Sequence, residues 1–201
     1  MVKFLQVCII TQKKTFVYGE IMERIDRRKQ KTKSAIEKTF LKLILQKGFD
    51  NITVKEITEK TNIVRKTFYL HYNDIYDLLD KIIDGEIRQL EILCENKTGK
   101  SWIEGTTMLF EYFFSKKNLF SALFSIKKSS LFREKLLDFM IKEIDKHFDM
   151  FNQEKNEIYS RFFAVAIFGI LESLILENLS TDYKIAAEQV GKLLENNLTQ
   201  L

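Results

Sequence analysis

The chain has 201 residues, 45% hydrophobic and 30% charged, a balance that supports one large or two small globular domains and excludes disorder throughout. With 32 Lys and Arg against 28 Asp and Glu the net charge is only +4, so a polybasic protein is excluded and any nucleic-acid role must rest on local charge. Two cysteines and two histidines provide poorly for a disulfide scaffold, a zinc site or metal-assisted catalysis, and the absence of proline with only 7 glycines leaves long stretches without a helix breaker, so an all-α fold is expected.

Residues 1–21 mix apolar residues and lysines without a helical period. Phe4 to Ile10 is interrupted by Gln6 and no small-residue cleavage site precedes Gln12, which makes a poor signal peptide and points to a cytoplasmic protein. This stretch is expected to be a loosely held tail or a misread extension, with the functional chain starting at Met22. Residues 22–72 then carry 13 Lys and Arg against 6 acids, while residues 73–201 carry 16 against 21. A basic block thus precedes a longer acidic, aromatic-rich one, a split that suggests a nucleic-acid-facing module joined to something else.

From Lys31 onward Ala35, Ile36, Phe40, Leu43 and Ile44 recur at helical spacing, and Gly48 ends the pattern. Thr53 and Glu56 form a capping-box pair that opens a short helix to about Thr61. Asn62 tolerates the left-handed conformation of a tight turn, Ile63 supplies an apolar plug, and a helix from Val64 to about Tyr72 follows. Asn73 and Asp74 are candidate caps for a fourth helix through Leu93. The same grammar continues with a capping box at Ser101 and Glu104, a short helix from Asn118 to Ile126, and a long one from Ser130 to about Phe151. Two helices close the chain, about Lys155 to Leu179 and Asp182 to Leu198, giving about nine in all. The longest apolar run, Phe162 to Leu171, is shorter than the roughly 18 residues that cross a membrane, so no membrane partner is expected.

Two short helices joined at Asn62, the second bearing Arg65 and Lys66 at its start, describe a helix-turn-helix whose second helix enters the DNA major groove. Ile57, Ile63 and Phe68 are spaced to pack the two helices, and Thr58 is small enough for their close crossing. Arg65 and Lys66 carry donors that match guanine O6 and N7. Thr67, Tyr69 and His71 offer donors at the height of the phosphates, and Thr53 and Lys55 complete the candidate contact set.

The run Thr67-Phe68-Tyr69-Leu70-His71-Tyr72, with the helix pattern before it and Asp77-Leu78-Leu79 after it, resembles the N-terminal DNA-binding domain of the TetR family of bacterial transcriptional regulators over about residues 31–83. Many members carry a phosphate-binding lysine where this chain has Ile75. That variant, with Trp102 and the aromatic run after it, is similar to a branch of low-GC Gram-positive regulators related to the dihydroxyacetone kinase operon regulator. The missing contact is expected from helix amides at Asp74 to Tyr76, or from a basic arm of Arg24, Arg27, Arg28, Lys29, Lys31 and Lys33 ahead of the first helix.

The resemblance implies a ligand-responsive repressor that binds an inverted-repeat operator on double-stranded DNA as a homodimer, with a DNA-binding domain at residues 22–73 and a helical effector-binding and dimerisation domain at 74–201. The expected dimer interface is Phe162, Phe163, Ile167, Ile170, Leu171, Leu174 and Ile175, which supply more apolar surface than one neighbouring helix covers. A small apolar effector is expected among Phe110, Phe113, Phe120, Phe124, Phe139 and Met140, whose bland reading is plain core. No cofactor or metal is expected. A helical adaptor that binds protein partners is the competing reading. An enzyme is the weakest, since no phosphate loop or nucleophile elbow occurs and the spacing of Glu143 and His147 reads as a surface pair.

Overall fold

The first helix, α1, spans residues 26–47 in the computed structural model, which describes residues 26–95, 101–126, 131–150 and 157–198. It begins five residues before the apolar period does. Arg, Lys and Gln propagate a helix well without marking a buried face, so the segment from Arg27 to Gln30 extends it invisibly. The basic residues expected in an arm therefore stand on α1, apart from Arg24. Expectations for residues 1–21, Arg24, the Ser130 cap and the His147 and Phe148 side chains lie outside the described residues.

Gly48 at φ 79 turns the chain into a 3-10 turn at Phe49–Asn51, and α2 follows over Val54–Thr61. The Thr53 side chain caps α2 by accepting from the Glu56 amide at 3.3 Å. The Glu56 carboxylate does not complete a reciprocal box but accepts from Lys47 at the end of α1. Asn62 sits at φ 53, ψ 45, the left-handed cap its side chain tolerates, and α3 spans only Arg65–Tyr69. Ile36, Phe40, Leu43, Ile57, Phe68 and Tyr72 close a common core beneath α2 and α3. Buried Thr58 returns its hydroxyl to the Lys55 carbonyl, which lets it sit at the helix crossing without an unsatisfied polar atom.

Helix α4, Ile75–Glu95, continues from this module into the remaining helices: α5 Trp102–Ser115, α6 Lys117–Ser125, α7 Leu131–Met150, α8 Glu157–Ile175 and α9 Tyr183–Leu198. Every helix and turn among the described residues is helical in type, with no strand. Ser101 and Glu104 complete a full capping box at the start of α5. Helix α8 stops at Ile175, short of Leu179, because Glu177 turns to φ 61 and the Asn178 amide returns to the Ser173 carbonyl. Polar ties cross the apolar core: Tyr112 donates to Glu86 at 2.6 Å between α5 and α4, and Arg133 on α7 grips Glu172 on α8 with both guanidinium arms. Burial and Glu86 push the Tyr112 phenol well above its usual range, so it stays a donor. Glu143 accepts from Lys146, one turn on. Helix α8 is long and apolar enough to cross a membrane by length and composition, contrary to the run-length reading. It packs as a core helix, with Leu171 fully buried and Glu172 paired.

Candidate nucleic-acid interface

Helix α3 has five residues, too few to hold its shape by backbone hydrogen bonds alone, so Phe68 and Tyr72 anchor it from below. The Tyr72 ring is buried and its hydroxyl donates to Glu37 on α1 at 2.9 Å. Burial and the Glu37 carboxylate raise the phenol far above its ordinary value, so this link between α1 and the end of α3 persists across the physiological pH range. The opposite side of α3 faces solvent. There Arg65 and Lys66 are exposed and their side chains have no hydrogen-bond or ion-pair partner among the described residues, a free pair of cations at the helix start. Tyr69 is 55% exposed with its ring edge-on to Phe68 at 5.6 Å. Thr67 is half-buried between them.

The contact set expected from α2 is placed differently. The Thr53 hydroxyl oxygen is engaged as the α2 cap. Exposed Lys55 lies 3.8 Å from Glu59, one turn on, in an ion pair weak enough for a phosphate to displace. Lys55, Thr58, Glu59, Asn62, Ile63 and Arg65 together line an open crevice between α2 and α3.

His71 is half-buried where three elements meet. Burial lowers its pKa first, and Lys29 and Lys33 from α1 with Lys81 from α4 lower it further, against the opposing Glu37. The lysines of α1 therefore join the histidine in one positive region. Their sequence spacing alone carried no sign of that proximity.

Of the α4 amides expected to hold a phosphate, that of Tyr76 is already engaged within the protein. The Tyr76 and Asp77 amides both donate to the Asp74 carboxylate at 2.8 Å, and the Asn73 amide donates to Asp77 at 2.7 Å. Two carboxylates occupy this helix end, and they repel the anion it was expected to bind. Two apolar side chains on the same module, not expected to be exposed from the sequence, face solvent: Val64 at 70% and Leu70 at 75% exposure. The available signal was at position 64, where a helix start calls for Ser, Thr, Asp or Asn and the chain has valine.

The expected effector residues are brought together, but as packed rings. Phe113 stacks on Phe120 at 4.0 Å, Phe124 meets Phe132 and Phe168 edge-on, and Phe110, Phe139 and Met140 are buried in the same core. Of the expected dimer residues, Ile167, Leu171, Leu174 and Ile175 are buried within the protomer and unavailable to a partner. Phe163 and Ile170 are half-buried, and Phe162 is 63% exposed. The apolar residues that do face outward are Ile158, Phe162 and Val165 on α8 with Ile185 and Leu193 on α9. A helix apolar around most of its circumference has a buried side that its own period cannot single out.

Residues 39–82 match the bacterial regulatory proteins of the tetR family, and residues 100–196 match the transcriptional regulator C-terminal region TetR_C_8. The dhaKLM operon transcriptional activator DhaS of Lactococcus lactis subsp. lactis (strain IL1403) is 25% identical over 169 residues, 81% of this chain and 89% of that protein. The solved structure of DhaS superposes with a TM-score of 0.65 at 22% identity, covering 85% of this chain and 97% of that one. The uncharacterized HTH-type transcriptional regulator YxbF of Bacillus subtilis (strain 168) is 42% identical over 62 residues, 30% of this chain but 16% of YxbF's own length. FadR from Bacillus subtilis, solved in complex with stearoyl-CoA, shares the fold with a TM-score of 0.61 at 16% identity, over 80% of this chain and 96% of that one. Two regions that together span most of the chain match one family, on a helix-turn-helix with a free basic recognition helix, and the chain belongs to the TetR family of DNA-binding transcriptional regulators.

Proposed function

We propose that the protein is a cytoplasmic, ligand-responsive transcriptional repressor that binds an inverted-repeat operator as a homodimer. The observation that carries this reading is the solvent-facing pair Arg65 and Lys66, unpaired at the start of α3 and held there by the buried Phe68 and Tyr72. Cations left without partners at a helix start are suited to guanine edges in the major groove. The outward apolar residues of α8 and α9 support a two-fold dimer, since an isologous contact covers both copies at once and presents two recognition helices to two half-sites.

Repression is favoured over activation on physical grounds. Occluding a promoter needs nothing beyond the DNA-binding surface, whereas activation needs a further contact with the transcription machinery. The relative DhaS is named an activator of its operon, so the sign of regulation is a point of test for this chain. A small apolar effector fits the phenylalanine-rich interior, and FadR holds stearoyl-CoA in the same fold. Phe113 and Phe120 are in ring contact, so a ligand seated between them requires the rings to part.

The test is selection of duplexes from a random library by the purified full chain, followed by footprinting and sedimentation. Inverted half-sites one helical turn or its multiple apart, bound by a dimer, are expected. Unsymmetrical sites bound by a monomer contradict the proposal, and transcription from a promoter carrying the selected site separates repression from activation.

A further inference from the structure

Val64 occupies the position just ahead of α3, with φ −76 and ψ 147, and forms no side-chain cap there. Valine ranks among the poorest residues for that position because it has no oxygen to accept from the helix amides. It does not compensate by packing: its side chain is 70% exposed, while the neighbouring Ile63 and Phe68 fill the core below. A residue that neither caps nor packs leaves two methyl groups in water. A single exposed apolar residue is ordinary on a protein surface. This one, however, is bonded to Arg65 on the unpaired cationic end of the recognition helix.

The major-groove edge of DNA carries one apolar group, the C5-methyl of thymine, and apolar side chains recognise it by contact. We infer that Val64 reads a thymine methyl in each operator half-site, beside the base that Arg65 reads. This rests on the regulator reading above and adds the base chemistry of its site. Valine suits the task because its branched side chain is held near one rotamer, so little freedom is lost on contact. A serine there would cap the helix and offer only a hydroxyl, which carries no preference for the methyl. The half-site should therefore contain a thymine within a base step of the guanine contacted by Arg65.

Replacing thymine by uracil removes that methyl and leaves every hydrogen-bonding group in place, which makes the test chemical rather than genetic. A duplex selected from a random library by the purified full chain is resynthesised with uracil at each thymine in turn. Wild type is expected to bind about fourfold more weakly at one thymine per half-site, and about fifteenfold when both symmetry-related thymines are changed, as for one methyl group removed from water at each. Val64→Ala and Val64→Ser, at a surface position, should fold normally, still bind through Arg65, and no longer distinguish thymine from uracil at that position. Uniform indifference of wild type to uracil overturns the inference. So does retention of the discrimination in Val64→Ala, or its loss in Leu70→Ala but not in Val64→Ala. In those cases Arg65→Ala still weakens binding if the regulator reading stands, whereas failure of the library to yield any preferred duplex counts against that reading itself.

Discussion

Lys81, on the second turn of α4, donates its Nζ to the main-chain carbonyl of His71 at 3.0 Å and to the Asp77 carboxylate at 3.0 Å. Asp77 in turn accepts from the Asn73 amide, so this lysine and this carboxylate tie the end of the connection from α3 to the first turns of α4. The placement of α3 thus depends in part on Lys81 and Asp77, which lie outside that helix. Lys81→Met is expected to cost about 1 kcal/mol of stability, the range for a partly exposed charged hydrogen bond, and to weaken operator binding uniformly across sequences. Thermal melts and a binding titration on matched and mismatched duplexes check both parts.

Asp77 carries a pH dependence of its own. The Asn73 amide first, then Lys81, hold its carboxyl below the ordinary 3.8. A lowered carboxyl contributes stability that is present above pH 3.8 and lost as pH falls through the lowered value. Melts from pH 6 down to about pH 2 should show a decline that is smaller in Asp77→Asn.

His71 behaves in the opposite sense toward DNA and toward folding. Burial and then Lys29, Lys33 and Lys81 keep its pKa below 6.5 in the free protein. Stability from the neutral form is complete above pH 6.5 and declines as pH falls toward the lowered value. A phosphate placed beside the ring favours the imidazolium, so operator binding takes up a proton and affinity rises over the same fall in pH. His71→Gln is expected to flatten both trends. Binding isotherms in buffers of different ionisation enthalpy, read for proton uptake, check the assignment directly.

Helices α5 and α9 meet through Gly191, where an added Cβ would lie 2.5 Å from the Ile103 Cα and 2.7 Å from the Thr106 Oγ1. One of those contacts is backbone, so the helices must move apart. Gly191→Ala is expected to destabilise by about 1 to 3 kcal/mol. Gly85, in the middle of α4, has nothing within 4 Å of the same added atom. Gly85→Ala is expected to stabilise by about 0.5 to 1 kcal/mol through helix propensity alone. Opposite shifts in Tm between these two alanines are the expected result.

The proposed dimer separates one phenylalanine from one leucine on the same helix. Phe162→Glu acts on the outward face and should yield a folded monomer in sedimentation, with operator affinity lost through the missing second half-site. Leu171→Glu places a charge in the protomer's own core and should fail to fold at all.

The DNA-binding module was legible because its signals are local. Thr53 as a cap, Asn62 as a left-handed turn, and Ile57 with Phe68 as packing residues each depend on neighbours a few positions away. What escaped the sequence depends on distance or on faces. Lys29 and Lys33 approach His71 only because α1 lies beside the chain just after α3, where Tyr72 donates to Glu37. The α4 amides looked available until the Asp74 side chain folded back on them. In α8, apolar residues surround most of the helix, so Leu171 and Phe162 read alike although one is buried and the other exposed.

The central claim is that the start of α3 reads base edges, and Arg65→Ala tests it most directly. On a duplex selected by the wild-type chain, the variant is expected to lose about 1 to 3 kcal/mol of binding free energy and to relax base preference at one position of each half-site. Affinity and base preference both unchanged in that titration would contradict the account.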